Sequence, residues 1–133
     1  DMFSEIELPV LKHIITQASE ITGHPVPCII GGDTGPILDS ILDTGTGYVI
    51  CPSETDQELF MEKMKDHPEV MVRVNTDPGV FASGDREGVY RELDRVLVLA
   101  QGREHACIGT GALAYESDPD IVIKAKIYVS EKT

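Results

Sequence analysis

The chain has 133 residues, 41% of them hydrophobic and 26% charged, enough for one compact domain with its own core. Eleven Lys and Arg against 23 Asp and Glu leave a formal charge of -12, which sets the chain against nucleic-acid phosphates and anionic membranes. No apolar run reaches the roughly 18 residues of a membrane helix, no basic-then-apolar leader opens the chain, and three separated cysteines give neither a disulfide framework nor a Cys-x-x-Cys knuckle, so a reducing cytoplasm is the expected setting.

The first predicted element is a helix over 4–22. Ser4 with Glu7 forms a capping-box pattern, Pro9 suits only a first turn, and Val10, Leu11, Ile14, Ile15, Ala18 and Ile21 recur at helical spacing before Gly23. The short apolar run 25–30 reads as a buried strand, broken by Gly31 and Gly32. Asp33 or Thr34 can then cap a helix with Pro36 in its first turn and Ile37, Leu38, Ile41 and Leu42 on its apolar face. Tyr48–Cys51 is the second strand, followed by a helix capped by Ser53 or Thr55 and carrying Leu59, Phe60, Met61 and Met64. A third strand spans 70–74. After a loop, Asp85 can cap a helix with Val89, Tyr90, Leu93, Val96, Leu97 and Ala100. A weak fourth strand spans 106–108. Asp118 and Pro119 open a last helix, although 121–129 also alternates and admits a strand.

The pattern is therefore α/β: one helix, then about four strand–helix units. Such alternation predicts a parallel sheet with helical crossovers. The units suit either a small open sheet or about half of a (β/α)8 TIM-type barrel, which typically needs about 250 residues. No boundary divides residues 1–133, so the chain is read as a single domain or a fragment of one. In both architectures function sits where strands end and helices begin.

Four loops qualify. Gly31-Gly32-Asp33-Thr34-Gly35-Pro36 offers bare backbone to an anion, but has neither Gly-x-Gly-x-x-Gly spacing nor a phosphate-loop Lys; its plain reading is a tight turn with a helix cap. The second loop offers Pro52, Ser53 and Glu54. In the third, Asp77 suits a cation or general-base role, and equally an Asx turn ahead of Pro78. The fourth sets Thr110 between Gly109 and Gly111, ahead of Tyr115 and Glu116, and the small residues let a ligand approach the backbone. His13, His24 and His67 fall away from these loops and read as solvated. His105 and Cys107 make only half a metal site at the wrong strand end, and Cys28, Cys51 and Cys107 read as buried structural thiols. No Ser-His-Asp or Cys-His set assembles. Arg86, Arg91 and Arg95 share one helix and are expected to pair with nearby acids, while neither Arg73 nor Arg103 clearly reaches the loop end.

Several strings in order resemble the uroporphyrinogen decarboxylase family, which includes the methylcobamide:coenzyme M methyltransferases. Glu7-Leu8-Pro9-Val10-Leu11-Lys12 is similar to its leucine-proline helix, and 27–38 to the next strand and loop. Asn75-Thr76-Asp77-Pro78 resembles its asparagine-x-aspartate-proline loop. Gly109-Thr110-Gly111 with Asp118-Pro119 resembles its terminal glycine loop and proline-started helix. The resemblance spans nearly the whole chain and implies the C-terminal part of a (β/α)8 barrel. It also implies a small-molecule substrate, tetrapyrrole or corrinoid-linked, met by Gly31, Gly32, Asp33, Thr34, Asn75, Asp77, Gly109, Thr110 and Gly111.

The departures are equally specific. Thr110 stands where the decarboxylases usually place a histidine, and Val74 where a glycine is usual before the asparagine. The zinc-ligand positions of the methyltransferases correspond to Ile29, Gly31 and Thr110, none of which ligates zinc as His or Cys would, so no metal and no cofactor are expected. The substrate-gripping aspartate and arginines of the decarboxylases belong to the N-terminal part and have no counterpart here. The expectation is therefore a decarboxylase-like chain inactive alone, partnered by neither nucleic acid nor membrane. It would form a homo-oligomer or pair with a missing N-terminal half, as its open edges require. The alternatives are a methyltransferase relative without zinc ligands and a non-catalytic binding protein on the same fold.

Overall fold

The computed structural model describes residues 2–133. It is an α/β fold with a three-stranded parallel sheet in the order β1-β2-β3, where β1 is Tyr48–Cys51, β2 Met71–Asn75 and β3 Ala106–Gly109. Among the described residues there are six α-helices: α1 Leu8–Thr22, α2 Leu38–Leu42, α3 Gln57–Lys63, α4 Gly79–Ala82, α5 Arg86–Ala100 and α6 Pro119–Lys132.

The sheet register sorts side chains onto two faces. Val49, Val72 and Ala106 are neighbours across the strands, as are Cys51, Val74 and Ile108. These six join one core with Ile15 of α1, Leu38 and Ile41 of α2, Phe60 and Met61 of α3, and Val96 of α5. Ile50, Arg73 and Cys107 form the alternate row, with Tyr48 beside Met71 and Asn75 beside Gly109. Side chains alternate along a strand, so these residues belong to the opposite face. Ile50 is buried there but joins neither of the two apolar clusters. The second cluster ties α4, α5 and α6 together through Phe81, Val89, Leu93, Ile121 and Ala125. Tyr90 and Tyr128 stack at 4.5 Å between ring centres, and the Tyr128 hydroxyl donates to Asp94.

Several expectations need correction. The run 25–30 is not a strand. It makes one parallel bridge, Pro27 to Tyr48, with the Cys28 N–H donating to the Tyr48 carbonyl. The Val26 carbonyl accepts the Gly47 N–H on the same side, and pairing with β1 goes no further; Pro25 and Pro27 withhold N–H groups only on the side away from β1. Ser4 and Glu7 do not start a helix as a capping box. Both lie inside a π-helical segment, Phe3–Glu7, that runs into α1. The wider π turn relieves the clash of the Pro9 ring with the preceding turn, so the helix continues through the proline. Neither Asp33 nor Thr34 caps by its side chain: a 3-10 turn, Gly35–Ile37, leads into the five-residue α2. Asp56, rather than Ser53 or Thr55, caps α3 by accepting the Leu59 N–H at 3.0 Å. Asp85 occupies the N-cap of α5 without a side-chain capping bond, its carboxylate meeting Arg91 at 3.4 Å instead. The segment 121–129 is helical, with Asp118 accepting the Asp120 N–H.

Candidate functional site

Three loops leave the C-terminal ends of the strands, and residues 31–36 follow the bridged segment at the same end. Asn75 closes β2 and is buried. Its Oδ1 accepts from Arg73 Nε at 3.1 Å, two residues earlier on the same face. Across the ladder stands Gly109, whose carbonyl accepts the Thr76 N–H at 2.8 Å. A Cβ at position 109 would fall 2.6 Å from Asn75 Oδ1 and 2.7 Å from Arg73 Cδ, so glycine is required for this close approach. Gly111 turns the chain at φ 69°, with Asn75 Nδ2 nearby. Arg73, Gly109, Thr110 and Gly111 then line a cavity of about 550 Å³ together with Lys126 and apolar side chains of α6. Arg73 thus reaches the loop end, contrary to expectation.

Beside Arg73, burial raises the Tyr48 phenol above its ordinary value; Cys107 adds to the rise and Arg73 opposes it. Cys107 is exposed on this face, which corrects its reading as a buried thiol, whereas Cys28 and Cys51 are buried in the helix-covered core. Thr110 spends its hydroxyl on the Gly111 carbonyl at 3.1 Å.

Asp77 behaves as an Asx-turn residue: its Oδ1 accepts the Gly79 N–H at 2.8 Å ahead of α4. Its backbone N–H donates to Glu92 Oε1 at 2.8 Å. From there a polar clamp crosses the end of the sheet. Arg95 donates to both oxygens of Glu92 and, at 2.7 Å, to Gln57 Oε1. The buried Gln57 donates in turn to the Cys51 and Asn75 carbonyls at 3.1 and 2.9 Å. Burial pushes the Glu92 carboxyl up, but Arg95 and the Asp77 N–H outweigh it and hold the group below its ordinary value. Arg95 is raised in return by its bond to Glu92. Gln57, Glu92 and Arg95 were not legible as site residues. Glu92 and Arg95 look like a surface pair on α5, and nothing in a lone Gln announces that it bridges two strand ends.

The loop 31–36 stands apart from this cluster. Gly32 adopts φ 80°, Asp33 is exposed, and the Gly35 N–H donates to Thr55 Oγ1 at 3.0 Å. Thr34 is 2% exposed, and its hydroxyl has no partner among the described residues. The predicted residues therefore form two groups, 31–34 against the β1 loop and Asn75 against Gly109–Gly111, with Asp77 on the clamp side. Tyr115 is fully out in solvent. A cleft of about 890 Å³ lies at the opposite strand end near Glu69 and His105. Among the described residues no group of three or more His, Cys, Asp or Glu side chains gathers to hold a metal, and no helix is long and apolar enough to cross a membrane. No known protein family matches the chain, and no curated protein matches it.

Proposed function

We infer that the chain forms part of the wall of a uroporphyrinogen decarboxylase-like barrel and contributes the Asn75 and Gly109–Gly111 loops to a small-molecule pocket. The observation that carries the reading is the Asn75–Gly109 contact, where two of the family-like motifs meet at the loop end of adjacent strands. The strand order supports it as well. Parallel strands adjacent in chain order, with a helix layer packed on one face, are what a barrel wall needs, and the other face then turns to the interior. Arg73 and Asn75 give that face polar groups near the pocket mouth, and Tyr48 adds one towards the other strand end.

In this reading the chemistry comes from elsewhere in the barrel. Decarboxylation requires donors or a cation at the developing carbanion-like transition state. Thr110 and Arg73 serve to shape and orient, and Asn75 holds Arg73 in place. Asp77 and Glu92 are occupied in the turn and the clamp and are not free bases. The pocket would take a tetrapyrrole, and the working form would be the chain joined to an N-terminal half or assembled with a second copy. A methyltransferase role has less support, since Ile29, Gly31 and Thr110 are not zinc ligands.

The test is titration of uroporphyrin into the product of the complete reading frame that encodes this chain. Binding is expected to weaken at least about tenfold in Asn75→Ala, with circular dichroism unchanged. Absence of binding, or full binding by a folded Asn75→Ala protein, contradicts the reading.

A further inference from the structure

β3 is an edge strand, and its outer side is not covered by another strand among the described residues. The His105 and Gly109 carbonyls accept from Val72 and Thr76 of the β2 side. Alternation along the strand turns the N–H and C=O groups of Ala106 and Ile108 outward, away from β2. Two cavities, about 790 and 550 Å³, run along this edge between β3 and α6. They share Ile108, Val129 and Thr133 and so form one trough, whose floor is the open strand edge and whose apolar wall includes Leu97 and Val122.

The charge of the trough opposes that of the molecule. In a chain of net charge -12, it is lined by Arg73, Lys126, Lys132 and the carbonyl-bonded Arg103, and by a single acidic side chain, Asp94, which is already bonded to Lys132. Among the described residues Arg73 and Lys126 have no carboxylate partner. A second copy pairing edge to edge would bring these like charges together, which disfavours it.

We propose that this trough receives an extended segment of alternating apolar and acidic residues, which adds to β3 as a further strand. Its backbone would satisfy the outward groups of Ala106 and Ile108, its apolar side chains would face α5 and α6, and its carboxylates would meet Arg73 and Lys126. The inference stands on the edge and its charge; in the barrel reading the next barrel strand pairs with this same edge, so the segment takes that strand's place.

The probe is a fluorescein-labelled Val-Glu-Val-Glu-Val-Glu amide, read by anisotropy and by amide hydrogen exchange, with Val-Lys-Val-Lys-Val-Lys as control. The acidic peptide should bind at least tenfold more tightly than the basic one and slow exchange at Ala106 and Ile108 at least tenfold. Ala106→Pro removes an outward N–H without touching the β2 ladder, and should weaken binding at least tenfold with circular dichroism unchanged. Lys126→Glu should narrow or reverse the preference between peptides. The proposal is overturned by absence of binding, by equal binding of the two peptides, or by full binding to Ala106→Pro. It is also overturned if glutarate competes as well as the peptide, which means a small-anion site. Protection of these amides that rises with protein concentration alone would mean a second copy is the occupant, and would overturn it too.

Discussion

Cys28, Cys51 and Cys107 all come from apolar stretches, yet they lie in different surroundings. Burial raises the Cys28 thiol, and for Cys51 burial outweighs the help of Gln57 and Arg95 and pushes the thiol up to about 12. Cys107, one residue on from a core position, lies on the uncovered face and is exposed. Iodoacetamide at pH 8 should therefore modify Cys107 alone in the folded chain, and all three in urea. Peptide mass spectrometry checks this, and Cys51 labelling as fast as Cys107 would contradict it. Glu92 gives a pH-dependent counterpart. Its folded pKa lies below the ordinary 4.5, so its stabilisation is present above about that pH and is lost as pH falls through the folded value. Glu92→Gln should cost roughly 1–2 kcal/mol at pH 7 and flatten the acid limb of a denaturation profile below the ordinary carboxylate value of 4.5. An unchanged acid limb would show that the clamp does not hold the loop. Asp77 was open between base and turn, and geometry decides for the turn because the Gly79 N–H lies within reach.

At the scale of elements, the connections opposite the loops are held by one side chain. Arg103, just before β3, donates to the carbonyls of Met64, His67 and Val70 at 2.6, 2.6 and 2.5 Å. It thereby ties the α5–β3 connection to the α3–β2 connection. Burial lowers its pKa, a further sign of the environment it occupies. Arg103→Ala removes the side-chain donor from all three carbonyls, of which Met64 and His67 keep the N–H groups of His67 and Val70, and should destabilise the fold by about 1–2 kcal/mol; Arg103→Lys, which lacks the fork, should recover only part of that. Urea unfolding of the three proteins checks it; an Ala variant as stable as wild type would contradict it. Periodicity marked β1 at its observed bounds and located α5, where Val89, Leu93 and Val96 recur on one buried face. It failed at 25–30, where composition is strand-like but only one bridge to β1 forms. Asp118 caps α6 and Asp85 occupies the N-cap of α5 as read, but the readings failed at α1, α2 and α3, where several Ser, Thr and Asp residues stand near each start and only the folded path selects one.

For the whole molecule, alternation of strands and helices was legible as a parallel α/β fold, and the strand order follows it. Which residues share a face also followed from the period-two rule once the register was known. The closure of the sheet was not legible, because the partner of an edge lies outside any local pattern. Apolar side chains Ile6, Val10, Ile14 and Ile21 lie exposed along α1 and its π-helical lead-in. On the proposed reading, this chain supplies one wall of a tetrapyrrole decarboxylase pocket and lacks the charges that do the chemistry. Removing even one preorganised donor from such a site typically costs about 100- to 1,000-fold in rate. The most direct measurement incubates uroporphyrinogen with the 133-residue chain and, in parallel, with the product of the complete encoding reading frame, and separates the products by carboxylate number. The account predicts stepwise loss of carboxylates with the complete product and none above a heat-killed control with the chain alone. Turnover by the chain alone, or none by the complete product, would contradict it.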